Sequence, residues 1–228
     1  MRPDRFYPVF FIAAAANALI KPAFGSYLGA PACANGACSV NPIVLATLAL
    51  AISLTCADAR ERRISRMEIG AFALGAALLL APIAMASWLA LGLVAFAYRA
   101  RAAATERTRA GAEILLMNAA RVPVTTAALS LLAGPLLAFD AAAAGAMLAL
   151  IGGDRTVDGN VVLNGDGHAL LVMTGCTSYS NIGFSLLAWF AATRPFFPAP
   201  PIARFIIGAL LTPVLIIAMI SLVAVLAA

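Results

Sequence analysis

The run "IGAFALGAALLLAPIAMASWLALGLVAFAY", Ile69–Tyr98, decides how the chain folds. Its 30 residues carry no charge, and Pro82 stands near its middle. A straight bilayer crossing takes about 20 residues, so the run is too long for one upright helix. A proline inside a helix removes a backbone donor and clashes with the preceding turn. Arg60, Arg62, Arg63 and Arg66 precede the run, and Arg99, Arg101, Arg107 and Arg109 follow it. Short basic loops stay cytoplasmic. Both flanks therefore belong on one side, and the spacing predicts a hairpin of two short helices folded near Pro82.

The whole composition points the same way. Of the 228 residues, 63% are hydrophobic and 11% charged, with a mean hydropathy of +0.98. Soluble domains hold about 45–50% apolar and about 25% charged residues. The expectation is a single transmembrane domain over 1–228, in contact with membrane lipids. The net charge of +5 does not call for nucleic acid, because the arginines form no basic face with interleaved aromatics. The opening segment has a basic start and an apolar stretch but no small-residue cleavage site, so it reads as a retained helix.

Further apolar runs are Tyr7–Ile20, Val40–Ala57, Val122–Ile151, Thr177–Thr193 and Phe205–Ala228. Val122–Ile151 holds Pro123, Pro135 and Asp140 and reads as one kinked crossing. Twelve of the 15 basic residues fall in four segments: Arg2–Arg5, Arg60–Arg66, Arg99–Arg109 and Arg194–Arg204. All four are assigned to the cytoplasm. The predicted fold is an all-α integral membrane bundle of about seven transmembrane helices. Its location is the bacterial inner membrane, multipass. Two segments then face outward, Lys21–Pro42 and residues 152–175. The second has three aspartates (Asp154, Asp158, Asp166) against Arg155, a net of −2.

The outward segment continues into "GNVVLNGDGHALLVMTGCTSYSN", Gly159–Asn181. Two β-rich runs surround Asn-Gly and Asp-Gly, a hairpin signal. A four-residue turn Asn164–Gly167 pairs Leu163 with His168 and sets Arg155 opposite Cys176. Other turn centres move that partner only to Thr174 or Ser178. Cys176 then opens the helix 176–193. A thiol at a helix start feels the dipole and free N–H groups, which favour the thiolate. Thr177 and Ser178 supply hydroxyls that can orient it or serve as helix caps. A guanidinium from Arg155 would favour the thiolate and hold an oxyanion; its other reading is pairing with Asp154, Asp158 or lipid headgroups.

His168, the one histidine, sits at the hairpin tip. Eight residues of strand extend about 26 Å, so it reads as a solvated turn residue. Asp140 is either a functional group facing the space beneath Cys176 or a bonded break beside Pro135. Cys33 and Cys38, in an outward loop, suit a disulfide. Two thiols alone do not specify zinc, and no metal or cofactor is expected. Cys56 reads as helix packing.

A long apolar helix pair, "GNVVLNG", a short strand-like run and Cys176-Thr177-Ser178 opening a helix together resemble the exosortase/archaeosortase family. The likeness covers about Arg121–Ala228, where that family carries Cys-Ser-Gly. The resemblance implies a membrane-embedded cysteine transpeptidase or protease with Cys176 as nucleophile. Its substrates would be exported proteins with a C-terminal sorting signal, cut on the extracytoplasmic face, with a lipid-linked acceptor. The family's later arginine, usually after Asn, has no counterpart, because Phe205–Ala228 holds neither Asn nor charge. That departure describes a degenerate member and makes Arg155 the substitute cation. Arg194 and Arg204 lie at the cytoplasmic end of a helix about 25 Å long. The alternatives are a catalytically inactive relative that binds sorting signals or assists envelope or exopolysaccharide assembly, and a small transporter using Asp140 and Arg121.

Overall fold

The computed structural model describes residues 6–27, 41–56, 65–101, 105–151, 155–164, 168–173 and 178–196. Six helices and three strands lie among them. The helices are α1 (Phe6–Tyr27), α2 (Pro42–Cys56), α3 (Arg66–Leu80), α4 (Ala84–Arg99), α5 (Glu106–Ile151) and α6 (Ser178–Thr193). The strands, between α5 and α6, are β1 (Arg155–Asp158), β2 (Val161–Asn164) and β3 (Ala169–Leu171).

The run Ile69–Tyr98 is divided between α3 and α4. Ala81 ends α3 in an extended conformation (φ −63°, ψ 137°) and Ile83 precedes α4 in another (φ −111°, ψ 125°). Pro82 between them explains the break, since its ring drives the preceding residue out of the helical region. The start of α3 is a capping box: Ser65 Oγ accepts from the Glu68 amide, and the Glu68 carboxylate accepts from the Ser65 amide.

The run Val122–Ile151 behaves differently. It stays within α5, which is 46 residues long and has one non-helical residue, Leu132 (φ −126°, ψ 18°). Pro135 lies three residues later. A proline ring collides with the carbonyl four residues back, which kinks a helix just ahead of it.

The chain divides into two compact units. Among the described residues, the first holds α1–α4, α5 as far as Pro123, and α6 from Leu187 onward. Its core is assembled from Phe11, Leu48, Leu91, Val94, Ile114, Leu115 and Leu187, all buried. The Tyr7 ring lies 4.8 Å from Phe72 and 4.4 Å from Tyr98, joining α1, α3 and α4. Gly111 meets α2 closely: a Cβ there would stand 2.7 Å from the Ala51 carbonyl oxygen. One helical turn pair further along, Thr47 Oγ1 donates to Asn118 Oδ1 at 3.3 Å.

The second unit spans Val124–Leu186. Its sheet packs against α5 through Val162 and Val172 on Ala141 and Leu148, with Leu137 and Leu170 beside them. Gly145 allows this approach, since a Cβ there would come within 2.6 Å of Val157 Cγ2.

Two expectations are corrected. The described helices do not provide about seven crossings. Among the described residues only α5, over Glu106–Leu150, is long and apolar enough to cross a membrane. The apolar stretches Phe6–Ile20, Pro42–Cys56, Met85–Arg99 and Asn181–Thr193 are shorter. The physical reason is rise: 15 helical residues span about 22 Å against a hydrocarbon core of about 30 Å. The run Phe205–Ala228 lies outside the described residues.

Nor is the fold all-α with one hairpin. The strands form a three-stranded antiparallel sheet in the order β1-β2-β3. The extra turn is at Gly159-Asn160, where Gly159 has φ +57°. Glycine takes this left-handed conformation without a side-chain penalty, and a two-residue hairpin loop needs it.

Candidate functional site

In sequence, the strands and the start of α6 flank the predicted site. Cys176 and Thr177 lie outside the described residues, as do Cys33 and Cys38. Ser178 is the first residue of α6. Backbone pairing places Arg155 opposite Asn164, with Thr156 opposite Leu163 and Asp158 opposite Val161. β2 then pairs Val161 with Leu171 and Leu163 with Ala169. Arg155 therefore stands at the end of the sheet from which β3 departs, with β2 between it and β3; His168, just before β3, is exposed. The other end is closed by the Val172 amide, which donates to the Asn160 carbonyl at 2.9 Å. The Asn160 side chain returns a bond to the Val172 carbonyl at 3.0 Å.

This register corrects the expected one. A single hairpin would have run β1 antiparallel to the segment reaching Cys176. The Gly159 turn inserts β2 between them, so strand pairing does not set Arg155 across from Cys176. The signal was present in the sequence as Asp158-Gly159-Asn160, a second turn candidate beside the Asn-Gly and Asp-Gly pairs.

Asp140 is buried in the second unit, beside Ala141 of the sheet-facing core. Arg121 belongs to the first unit and is half-buried on α5. Cys56 is corrected: it is exposed at the last residue of α2.

The most developed polar constellation among the described residues lies elsewhere, in the first unit. Glu68, 3% exposed, takes a hydrogen bond from the Tyr7 hydroxyl and an ion pair from Arg101 Nε at 2.9 Å. The Arg101 guanidinium also lies over the Tyr7 and Tyr98 rings, 5.2 Å and 5.4 Å from their centroids. Burial alone would raise the Glu68 carboxyl; the Ser65 amide, the Tyr7 hydroxyl, the Ser65 hydroxyl and Arg101 outweigh it and hold the group below its usual range.

A second carboxylate, Glu113, is shared. Arg99 Nε bonds one oxygen at 2.9 Å and Arg194 Nε bonds the other. Arg194 also lies 3.7 Å from Glu106, which Arg109 meets at 3.3 Å. Arg194 is buried, so its charge needs these partners. An isolated buried guanidinium would be costly, and two carboxylates around its planar fork offset that cost.

These two clusters tie the start of α1, the start of α3, the end of α4, the start of α5 and the end of α6 together. They contain no nucleophile, and their carboxylates are saturated by arginines, so their chemistry is fastening. Sequence reading used these charges for topology and missed the pairing. Ser65-x-x-Glu68 was legible as a capping box; nothing local announces that Glu113 meets Arg194, 81 residues away.

Comparison of the chain with protein-family models, with curated proteins and with solved structures returned no match.

Proposed function

We propose that this chain is an exosortase-like cysteine transpeptidase or protease of the bacterial inner membrane, acting on C-terminal sorting signals of exported proteins. The observation that carries the reading is the order of elements around Cys176. A three-stranded sheet ends at Leu171, and α6 begins at Ser178, two residues after the cysteine. That position suits a thiolate stabilised by a helix N-terminus. The thiolate attacks the scissile carbonyl, the C–N bond breaks, and the leaving amine takes a proton. The resulting thioester is opened by water or by the amine of a lipid-linked acceptor, which restores the thiol. Thr177 and Ser178 are the adjacent oxyanion donors, and Asp140 supports the site from α5. The apolar composition supports a membrane location, with residues 152–175 on the extracytoplasmic side.

A second reading draws on the register. Arg155 is aligned with Asn164, so the cation expected beside the thiol is not delivered by strand pairing. A catalytically inactive relative that binds sorting signals, or assists envelope assembly, needs no such cation.

The experiment follows a tagged exported protein with a C-terminal sorting signal in cells carrying Cys176→Ala, Cys176→Ser or Arg155→Ala. Loss of processing in both cysteine variants, with a thioester trapped in the parent, supports the enzyme. Unchanged processing sinks the thiol mechanism. Substrate binding retained without processing in any form selects the inactive reading. Fractionation with the membrane is expected, and recovery in the aqueous fraction overturns the location.

A further inference from the structure

The arginines at the fastened end of the first unit divide into two sets. Arg101 and Arg194 are turned inward onto Glu68 and Glu113. Arg99 and Arg109 each hold a carboxylate oxygen, yet their side chains remain 49% and 42% exposed. Arg66 opens α3 and Arg107 lies in the first turn of α5; both are exposed and form no ion pair among the described residues. The clusters bring all six to one end of the unit. Among the described residues at this end, three carboxylates (Glu68, Glu106, Glu113) stand against these six guanidinium groups, leaving +3. Phe6, Met67 and Phe196 are exposed apolar side chains at the same end, Phe196 at 78%.

We infer that this end of the first unit is a docking surface for anionic phospholipid headgroups, with Arg66 and Arg107 as the principal phosphate contacts. The excess positive charge is complementary to an anionic leaflet, and guanidinium groups pair with phosphate oxygens in bidentate fashion. The exposed Phe and Met side chains favour a lipid surface over nucleic acid. At a bilayer they leave water for the acyl boundary, as interfacial aromatics do; on a nucleic acid backbone they would stay hydrated. The internal glutamates explain why only part of the arginine set is available. The inference shares the membrane location of the preceding reading and is independent of its thiol chemistry.

The test uses the full chain in a neutral detergent, titrated with phosphatidylglycerol or phosphatidylcholine and read by native mass spectrometry. Tighter binding of phosphatidylglycerol is expected, weakening as salt rises. Arg66→Gln and Arg107→Gln should each weaken it about fivefold, and the double variant about 25-fold. The Arg66→Lys/Arg107→Lys chain should fall between the parent and the double Gln variant, because charge is retained and bidentate pairing is lost. Equal binding of the two lipids, or an undiminished preference in the double Gln variant, overturns the inference. Displacement of phosphatidylglycerol by a short RNA at matched charge overturns it in favour of nucleic acid. Should the double Gln variant not fold, the salt dependence of the parent and the Lys variant still decide. Cys176→Ala should leave the lipid preference intact, so failure of the thiol reading and failure of this one are told apart.

Discussion

Two 30-residue apolar runs in this chain contain central prolines, and they fold in opposite ways. Ile69–Tyr98 turns back at Pro82 as two separate helices, whereas Val122–Ile151 continues as α5 with a kink at Leu132. The intrinsic cost of proline in a helix interior, about 3 kcal/mol, is the same in both. The surroundings differ. On either side of Pro82, α3 and α4 pack on each other and share α1. Phe72 lies 4.8 Å from Tyr7 and 5.4 Å from Phe10, and the hairpin is pinned at its base by Glu68. Around Pro135, Leu131, Leu132 and Phe139 are exposed, and Gly134 has open space where a side chain would go. A proline offers a break; a third element that both arms can bury against turns the break into a hairpin.

The largest effect should come from unpinning the hairpin. Glu68→Ala leaves Arg101 without its buried carboxylate and removes the capping box, at a cost of about 3–5 kcal/mol. Thermal unfolding in detergent, followed by Trp88 fluorescence in a Trp189→Phe background, measures it. The same site predicts a pH dependence. The folded Glu68 carboxyl lies below its usual range. Its contribution is complete above the unfolded value of about 4.3 and is lost as pH falls through the folded value. Acidification below about pH 4 should therefore destabilise the parent more than Glu68→Ala. Equal acid sensitivity would show that Glu68 does not hold the hairpin.

An intermediate effect is expected at the hairpin's close approach. A Cβ at Gly75 would stand 2.7 Å from Phe10 Cζ and 3.1 Å from Val94 Cγ2. Gly75→Val should destabilise by about 1–3 kcal/mol through overpacking. The smallest effect belongs to the other run. A Cβ at Gly134 meets nothing within 4 Å beyond its chain neighbours, and the helix gain of about 0.5–1 kcal/mol for Gly134→Ala is opposed by Pro135, which disfavours a helical residue with a Cβ just ahead of it; a shift within about 0.5 kcal/mol is expected. Were Gly134→Ala to cost as much as Gly75→Val, the contrast in packing between the two runs would collapse.

Much of the helical layout was legible, because it depends on local chemistry. Pro82 between basic flanks marks the hairpin, and Ser65-x-x-Glu68 marks the start of α3. The sheet was half legible: Asn-Gly and Asp-Gly announce a turn after Asn164, but Asp158-Gly159-Asn160 announces another with equal force. Choosing between one hairpin and two depends on which apolar face meets Ala141, Gly145 and Leu148 of α5. Strand sequence alone does not contain that face, and the choice moved the partner of Arg155 from Cys176 to Asn164.

By itself the sequence determined an apolar, mainly helical chain, the proline positions at which its long runs break or kink, and the thiol that follows the strand-rich segment. Those properties follow from composition and from interactions spanning a few residues. Only the tertiary structure decided that the strand segment is a three-stranded sheet and that Arg194 fastens the end of α6 to Glu113. Each of these depends on burial and pairing between residues far apart in the chain, such as the 81 positions separating Glu113 from Arg194. Their energies arise only when the elements meet: a buried guanidinium becomes tolerable once a carboxylate from another helix reaches it.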